Sequence, residues 1–277
     1  MIRTRRNEDR ISKKFSELRE RKQAALICYV VGGFPDLRTS RSIIETLVKA
    51  GADMIEIGIP FSDPIADGPI IQEASHHALT HGVRPQQCVA LAGYTRKLFP
   101  ELPLIFMTYS NILYRTGFET FMTKARDSGI DGFILPDMSI EESEAYIKIS
   151  RKLGVSSIFI VSPNTDDKRV RRIMNVSTGF LYTVSVYGVT GVRSTLYDRS
   201  VKRIAKLRKN SNPTLPIAVG FGVQKPDHVS MMVAAGADAI IMGSALIKII
   251  RTSEHNPNML NDLYNYVQQM KNACHHQ

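Results

Sequence analysis

A parallel (β/α)8 barrel with an extra N-terminal helix is the fold this sequence predicts, and three observations carry the prediction. Eight short apolar runs alternate with segments of helical periodicity from residue 26 onward. One turn recurs ahead of such runs, as Ala50-Gly51-Ala52-Asp53, Ser128-Gly129-Ile130-Asp131 and Ala235-Gly236-Ala237-Asp238. Polar, glycine-rich segments follow the runs, where a closed parallel barrel places its working face.

The N-terminal helix comes first. Ile11, Phe15 and Leu18 repeat at helical spacing after a basic tail over residues 1–9. The eight strands are read at 26–31, 54–58, 104–108, 132–135, 157–161, 181–184, 217–219 and 239–242. Between them lie amphipathic patterns such as Ile43, Ile44, Leu47 and Val48, or Val229, Met232 and Val233. Glycine just past a helix end supplies the left-handed cap, so the recurring turn marks each passage from helix to strand. Strands alternating with helices imply right-handed parallel crossovers. Eight such units fit one barrel over residues 10–277. A doubly wound open sheet is the alternative, but no GxGxxG follows the first strand.

Composition bounds the function. The chain has 277 residues, 43% of them hydrophobic and 22% charged, which suits an ordinary globular protein. No apolar run reaches the length of a membrane span, and a cytoplasmic location is expected. Cys28, Cys88 and Cys274 show no CxxC spacing and fit a reducing compartment. The net charge is +10, and residues 1–23, with nine Lys or Arg against four Asp or Glu, supply +5 of it. No nucleic-acid-binding motif follows that basic arm, so it reads as a solvated tail and helix. A positive field also suits an anionic substrate such as a phosphate ester.

The richest stretch is 54–69, a short strand that runs into a loop of prolines and aspartates. Side chains alternate along a strand, so Ile55, Ile57 and Ile59 share one face and Met54, Glu56 and Gly58 the other. Glu56 then points into a covered interior, where an unpartnered charge is costly. The neighbouring strands offer no Lys or Arg to pair it. Asp67 follows in the loop. Two carboxylates in different surroundings can hold different pKa values and act as acid and base. Asp67 equally suits a cap for the helix that begins near Pro69.

A second group follows strands six, seven and eight: Gly191, Gly220-Phe221-Gly222 and Gly243-Ser244. Glycines let backbone N–H groups approach an anion, and Ser244 would open a helix whose dipole favours one. Together they predict a phosphate site. The segment around Gly188-Val189-Thr190-Gly191 reads as a lid over the site or as a solvent loop. Tyr182 reads as a site residue or as core. Glu73, His77 and His81 share a helical spacing but lack further ligands, so no metal site is expected. No lysine sits mid-strand as a Schiff-base former would.

These residues resemble the tryptophan synthase alpha chain family. The resemblance rests on Glu56 to Pro69, then Met107-Thr108-Tyr109-Ser110-Asn111, Pro136-Asp137, residues 185–191, Gly220-Phe221-Gly222 and Gly243-Ser244, in the family's order. It implies a TIM barrel that cleaves indole-3-glycerol phosphate to indole and glyceraldehyde 3-phosphate. Glu56 matches the family's catalytic glutamate and Asp67 its second catalytic carboxylate. Thr190 would hold Asp67 when the lid closes, and Tyr182 would lie near the glyceryl group. Gly191, Phe221, Gly222, Gly243 and Ser244 match substrate-binding positions around the phosphate. Tyr29, Met107, Tyr109 and Ile134 would line the indole pocket. The resemblance also implies an alpha2-beta2 tetramer with a tryptophan synthase beta chain that holds pyridoxal phosphate and receives the indole. No cofactor is expected in this chain. Asp63, Pro64 and Ile65, with the region after Asp137, match the partner-facing surface. Two other readings compete: an idle barrel kept as an activating subunit, and another phosphate-ester barrel. The paired carboxylates oppose the first and the aspartate loop the second.

Overall fold

A computed structural model of the chain describes residues 9–184, 193–210, 214–220, 222–253 and 256–275, with side chains omitted at 193–199 and 210. Its eight strands are β1 (Ala25–Val31), β2 (Met54–Gly58), β3 (Leu104–Met107), β4 (Gly132–Ile134), β5 (Ser156–Val161), β6 (Leu181–Val184), β7 (Ile217–Gly220) and β8 (Ala239–Met242). They pair in sequence order, all parallel, and β8 closes on β1. Every strand residue of β1, β2 and β3 is buried. That follows from a parallel sheet covered on both faces, which takes near-continuous runs of Val, Ile and Leu. The strand positions predicted from the apolar runs agree with these to within one residue at each end.

The helix Arg10–Glu20 closes the N-terminal mouth. Asp9 caps it by accepting the Ser12 N–H at 2.8 Å. Its buried stripe is Ile11, Phe15 and Leu18. The Phe15 ring meets Phe180, ahead of β6, at 6.0 Å between centroids. Full burial of such side chains contributes about 2 kcal/mol each.

The recurring turn is a staple at the same end of the barrel. Gly51, Gly129 and Gly236 hold φ of +108°, +100° and +102°, a conformation that favours glycine. The aspartate two residues on then reaches back to the preceding strand. Asp53 accepts the Leu26 N–H at 2.7 Å, Asp131 that of Leu104 at 2.8 Å and Asp238 that of Ile217 at 2.7 Å. Each carboxylate also meets a cation: Lys271 on Asp53 at 2.6 Å, Arg96 on Asp131 at 2.7 Å, and Arg208 on Asp238. The stem of that same cation lies over the glycine of its own turn. Arg10 adds a second pair to Asp131 at 2.8 Å and so ties down the N-terminal helix. No described helix is long and apolar enough to cross a membrane.

Candidate active site

Strand register sets the interior. Tyr29 lies beside Glu56, Glu56 beside Ile105, Met107 beside Ile134, and Tyr182 beside Ala218. Alternation turns Ile55 and Ile57 away toward the helices, as the pattern of β2 requires. Two of the inward residues are tyrosines, and glycines make room for them. A Cβ at Gly58 would stand 2.2 Å from the Tyr29 hydroxyl, and one at Gly220 would stand 2.3 Å from that of Tyr182. A Cβ at Gly243 would also press on the Tyr29 ring, at 3.0 Å. The two rings therefore lie flat across the glycines of neighbouring strands.

A cavity of about 240 Å³ opens above them. Tyr29, Glu56, Met107, Tyr182 and Ile241 line its inner part, Asp67 to Ile71 one side, and Gly222, Gly243 and Ser244 another. Glu56 has no exposed surface, and neither of its oxygens has a hydrogen-bond partner among the described residues. Burial, with a smaller push from the Asp67 charge, lifts its carboxyl from 4.5 to about 8. Near neutrality it is therefore a protonated acid.

Asp67 is different. Its Oδ2 accepts the Tyr109 hydroxyl at 3.1 Å, and that hydroxyl accepts the Ala66 N–H at 3.0 Å. Its Oδ1 is buried without a partner among the described residues. Burial raises this carboxyl from 3.8 to about 6, and the Tyr109 bond limits the rise. Asp67 is therefore mostly ionised at pH 7. It does not cap the following helix. Gly68 is the N-cap of Pro69–Thr80, and no side chain makes that cap's hydrogen bond. Burial and the two carboxylates push the phenols of Tyr29 and Tyr182 well above their usual range, so both stay neutral donors.

The far side of the cavity carries backbone suited to an anion. Gly243 is the N-cap of the helix Ser244–Thr252, whose first N–H groups open on the cavity. Gly222, at φ +75°, brings a second backbone segment beside them. The N–H groups of the helix's first turn and the helix dipole together favour a phosphate.

Of the site residues predicted from the sequence, Tyr29, Glu56, Asp67, Met107, Tyr182, Gly222, Gly243 and Ser244 meet around this one cavity. Tyr109 joins them through Asp67. Ile134 is buried in the barrel interior but is not among the lining residues. Thr190, Gly191 and Phe221 lie outside the described residues. Asp63, Pro64 and Ile65 sit on the loop beside the cavity, with Ile65 81% exposed. The sequence reading did not pick out Ile70, Ile71, Val223, Gln224 or Ile241 as lining residues. Ile241 was within reach, because alternation in β8 turns it inward once Ala239 is placed; the others sit in loops and helix starts that carry no such signal. Among the described residues no group of His, Cys, Asp and Glu is suited to a metal. Glu73 pairs with Arg251, and His77 lies 3.1 Å from the Pro35 carbonyl and stacks on His81.

Known proteins match this architecture. The family model described as tryptophan synthase alpha chain matches residues 15–275. The tryptophan synthase alpha chain of Methanoregula boonei is 39% identical over 253 residues, covering 91% of this chain and 94% of its own. That of Methanosarcina barkeri is 43% identical over 241 residues, covering 87% and 89%. The crystal structure of tryptophan synthase subunit alpha from Legionella pneumophila superposes with a TM-score of 0.87 at 32% identity, over 96% of this chain and 98% of that one. The chain belongs to the tryptophan synthase alpha chain family, lyases of tryptophan biosynthesis.

Proposed function

We propose that Glu56 and Asp67 carry out the retro-aldol cleavage of indole-3-glycerol phosphate in this cavity. The observation that carries the reading is Glu56 itself, a wholly buried carboxyl with no partner among the described residues, on the same cavity wall as Asp67. Indole carbon 3 must gain a proton before it can leave. Glu56 donates it. Positive charge then develops on the indole nitrogen, and Asp67 accepts the N–H hydrogen bond and stabilises that charge. The Glu56 carboxylate next takes the proton of the glyceryl hydroxyl. The carbon–carbon bond breaks, its electron pair returns to the indole ring, and the former hydroxyl carbon becomes the aldehyde of glyceraldehyde 3-phosphate. Protons balance, and Glu56 ends as it began. Each well-placed acid–base group contributes about 10²–10⁴-fold.

The other residues hold the substrate. The backbone at Gly222, Gly243 and Ser244, with Gly191 and Phe221, takes the phosphate. Tyr182 lies by the glyceryl group. Tyr29 and Met107 would border the indole, with Tyr109 behind Asp67 and Ile134 packed beside Met107, and Thr190 would hold Asp67 on closure. Alpha chains of this family bear no cofactor, and the pyridoxal phosphate belongs to the beta chain. Asp63, Pro64 and Ile65 would face that beta chain in an alpha2-beta2 assembly in the cytoplasm. The exposure of Ile65 and of Tyr114, at 81% and 62%, supports an interaction face there.

Indole release is measured for the wild-type chain and for Glu56→Gln, each with and without a beta chain. Loss of release in Glu56→Gln alone or combined is the expected result. Release at the parent rate would remove Glu56 from the chemistry and leave the chain as an activating subunit.

A further inference from the structure

A hydrogen-bonded chain of residues crosses three consecutive loops at the C-terminal end of the barrel and finishes on Asp67. It starts at Asp137, after β4. The carboxylate of Asp137 accepts the Ser110 N–H at 3.0 Å to Oδ1 and the Ser110 hydroxyl at 2.7 Å to Oδ2. Ser110 is the first residue of the helix Ser110–Thr116, after β3, and Tyr109 is the N-cap of that helix. No side chain of the helix's own N-cap satisfies those donors, so the anchor comes from the neighbouring loop. Tyr109, 4% exposed, stacks on Phe61 with ring centroids 4.9 Å apart. Its hydroxyl then meets Asp67 at 3.1 Å and the Ala66 N–H at 3.0 Å, in the loop after β2.

We propose that Asp137 is a positioning residue for Asp67, acting through Ser110 and the hydroxyl of Tyr109. The backbone at Ser110 is what fixes where the Tyr109 ring starts. Asp137 grips that backbone with both oxygens. Phe61 then limits the ring to one plane, and the hydroxyl at its end occupies Oδ2 of Asp67. This leaves Oδ1 for the substrate. Loosening Asp137 frees the start of the helix, and the error grows along the length of the tyrosine to the carboxylate. Displacements of that size weigh on the chemical step more than on binding. Among the described residues the groups that face Asp67 are Glu56 and the phenols of Tyr29, Tyr109 and Tyr182. Of these, the Tyr109 hydroxyl is its hydrogen-bond partner and holds its charged form.

The inference rests on the catalytic reading of Asp67 for its effect on rate, but not for its geometry. The test therefore has two arms. In the first, the full chain is prepared with carbon-13-labelled aspartate carboxyls, and the Asp67 midpoint is followed by NMR. Tyr109→Phe should raise the midpoint by about one pH unit, as expected on losing a hydrogen bond to a charged acceptor. Asp137→Ala should move it the same way by about half as much, and the double variant should match Tyr109→Phe alone. Asp137→Asn keeps one acceptor for Ser110; it should show a smaller rise and serves if Asp137→Ala does not fold. In the second arm, Asp137→Ala should lower kcat for indole release about tenfold with KM within about twofold. An unmoved Asp67 midpoint in Asp137→Ala and Asp137→Asn overturns the proposal. So does an effect that adds in full to that of Tyr109→Phe. A normal NMR result with no indole release from the wild type supports the relay and removes the lyase reading instead.

Discussion

Replacing Glu56 by Gln should make the fold more stable at alkaline pH while it removes catalysis. The carboxyl titrates at about 8 in the fold against 4.5 outside it. The cause is burial first and the Asp67 charge second. Below 4.5 both folded and unfolded chains carry the proton, and the group costs nothing that glutamine would not. Between 4.5 and about 8 the unfolded chain gives up the proton and the folded chain keeps it. Folding then binds a proton, so stability falls as pH rises through this window and levels off above it. At 1.36 kcal/mol per pH unit the gap comes to about 5 kcal/mol. That is a large share of the 5–15 kcal/mol typical of a folded domain. Glutamine has the same shape and no charge to bury, so the variant escapes the fall. Urea unfolding of both chains at pH 5 and pH 9, followed by far-ultraviolet circular dichroism, reads the difference. Between pH 5 and pH 9 about 4 kcal/mol of that gap is crossed, so with a slope of about 3 kcal/mol per molar urea the midpoint of Glu56→Gln should gain about 1.3 M on that of the wild type. Asp67 is present in both chains and largely cancels. Midpoints that move in parallel would mean that Glu56 is not held protonated at neutral pH, and the proton-donor role would fall with it.

Other consequences are as direct. The pH dependence of kcat/KM for indole release should be bell-shaped with limbs near 6 and 8, rising as Asp67 ionises and falling as Glu56 loses its proton. A rate that holds flat from pH 7 to pH 10 contradicts it. Gly220→Ala should drive a methyl into the Tyr182 ring, lowering stability by roughly 1–3 kcal/mol along with activity; Tyr182→Ala should cost less stability in that background than in the wild type, because the clash is gone, and should not recover the rate. Asp131→Ala should cost about 3 kcal/mol, because it leaves the Leu104 N–H without its acceptor and Arg96 without its counter-charge. The KM of the folded fraction should not change, since this staple lies at the other end of the barrel.

The order of the barrel was legible because its signal is local. Apolar runs, helical spacing and the Gly-x-Asp turn each sit within a few residues, and strand pairing follows chain order. Glu56 was legible too, since one carboxylate among isoleucines on an alternating strand has few explanations. The company that Asp67 keeps was not. Nothing in the sequence around it separates a helix cap from a site carboxylate, and the deciding contact, with Tyr109, spans 42 positions. Gly58 read only as a strand position on the face of Glu56 and Gly220 as part of the phosphate-binding group; their service to the tyrosines appears only when the register lays Tyr29 and Tyr182 across them. The glycines at 222 and 243 were legible as a group and uninformative one by one.

The two ends of the barrel use the same kind of residue to opposite ends, and the partners tell them apart. At the N-terminal mouth Asp53, Asp131 and Asp238 each hold a backbone N–H and a cation. Such a carboxylate is satisfied, and removing it leaves a charge stranded. At the C-terminal end Asp67 has one phenol and the Ala66 N–H meets that phenol rather than the carboxylate, while Glu56 has no partner among the described residues. A fold selected for stability alone would replace Glu56 with a leucine or methionine of similar volume and lose the alkaline penalty. Its place at the centre of the interior, on the same cavity as the start of the helix Ser244–Thr252, fits the proposed reaction, which needs a proton delivered where water is excluded.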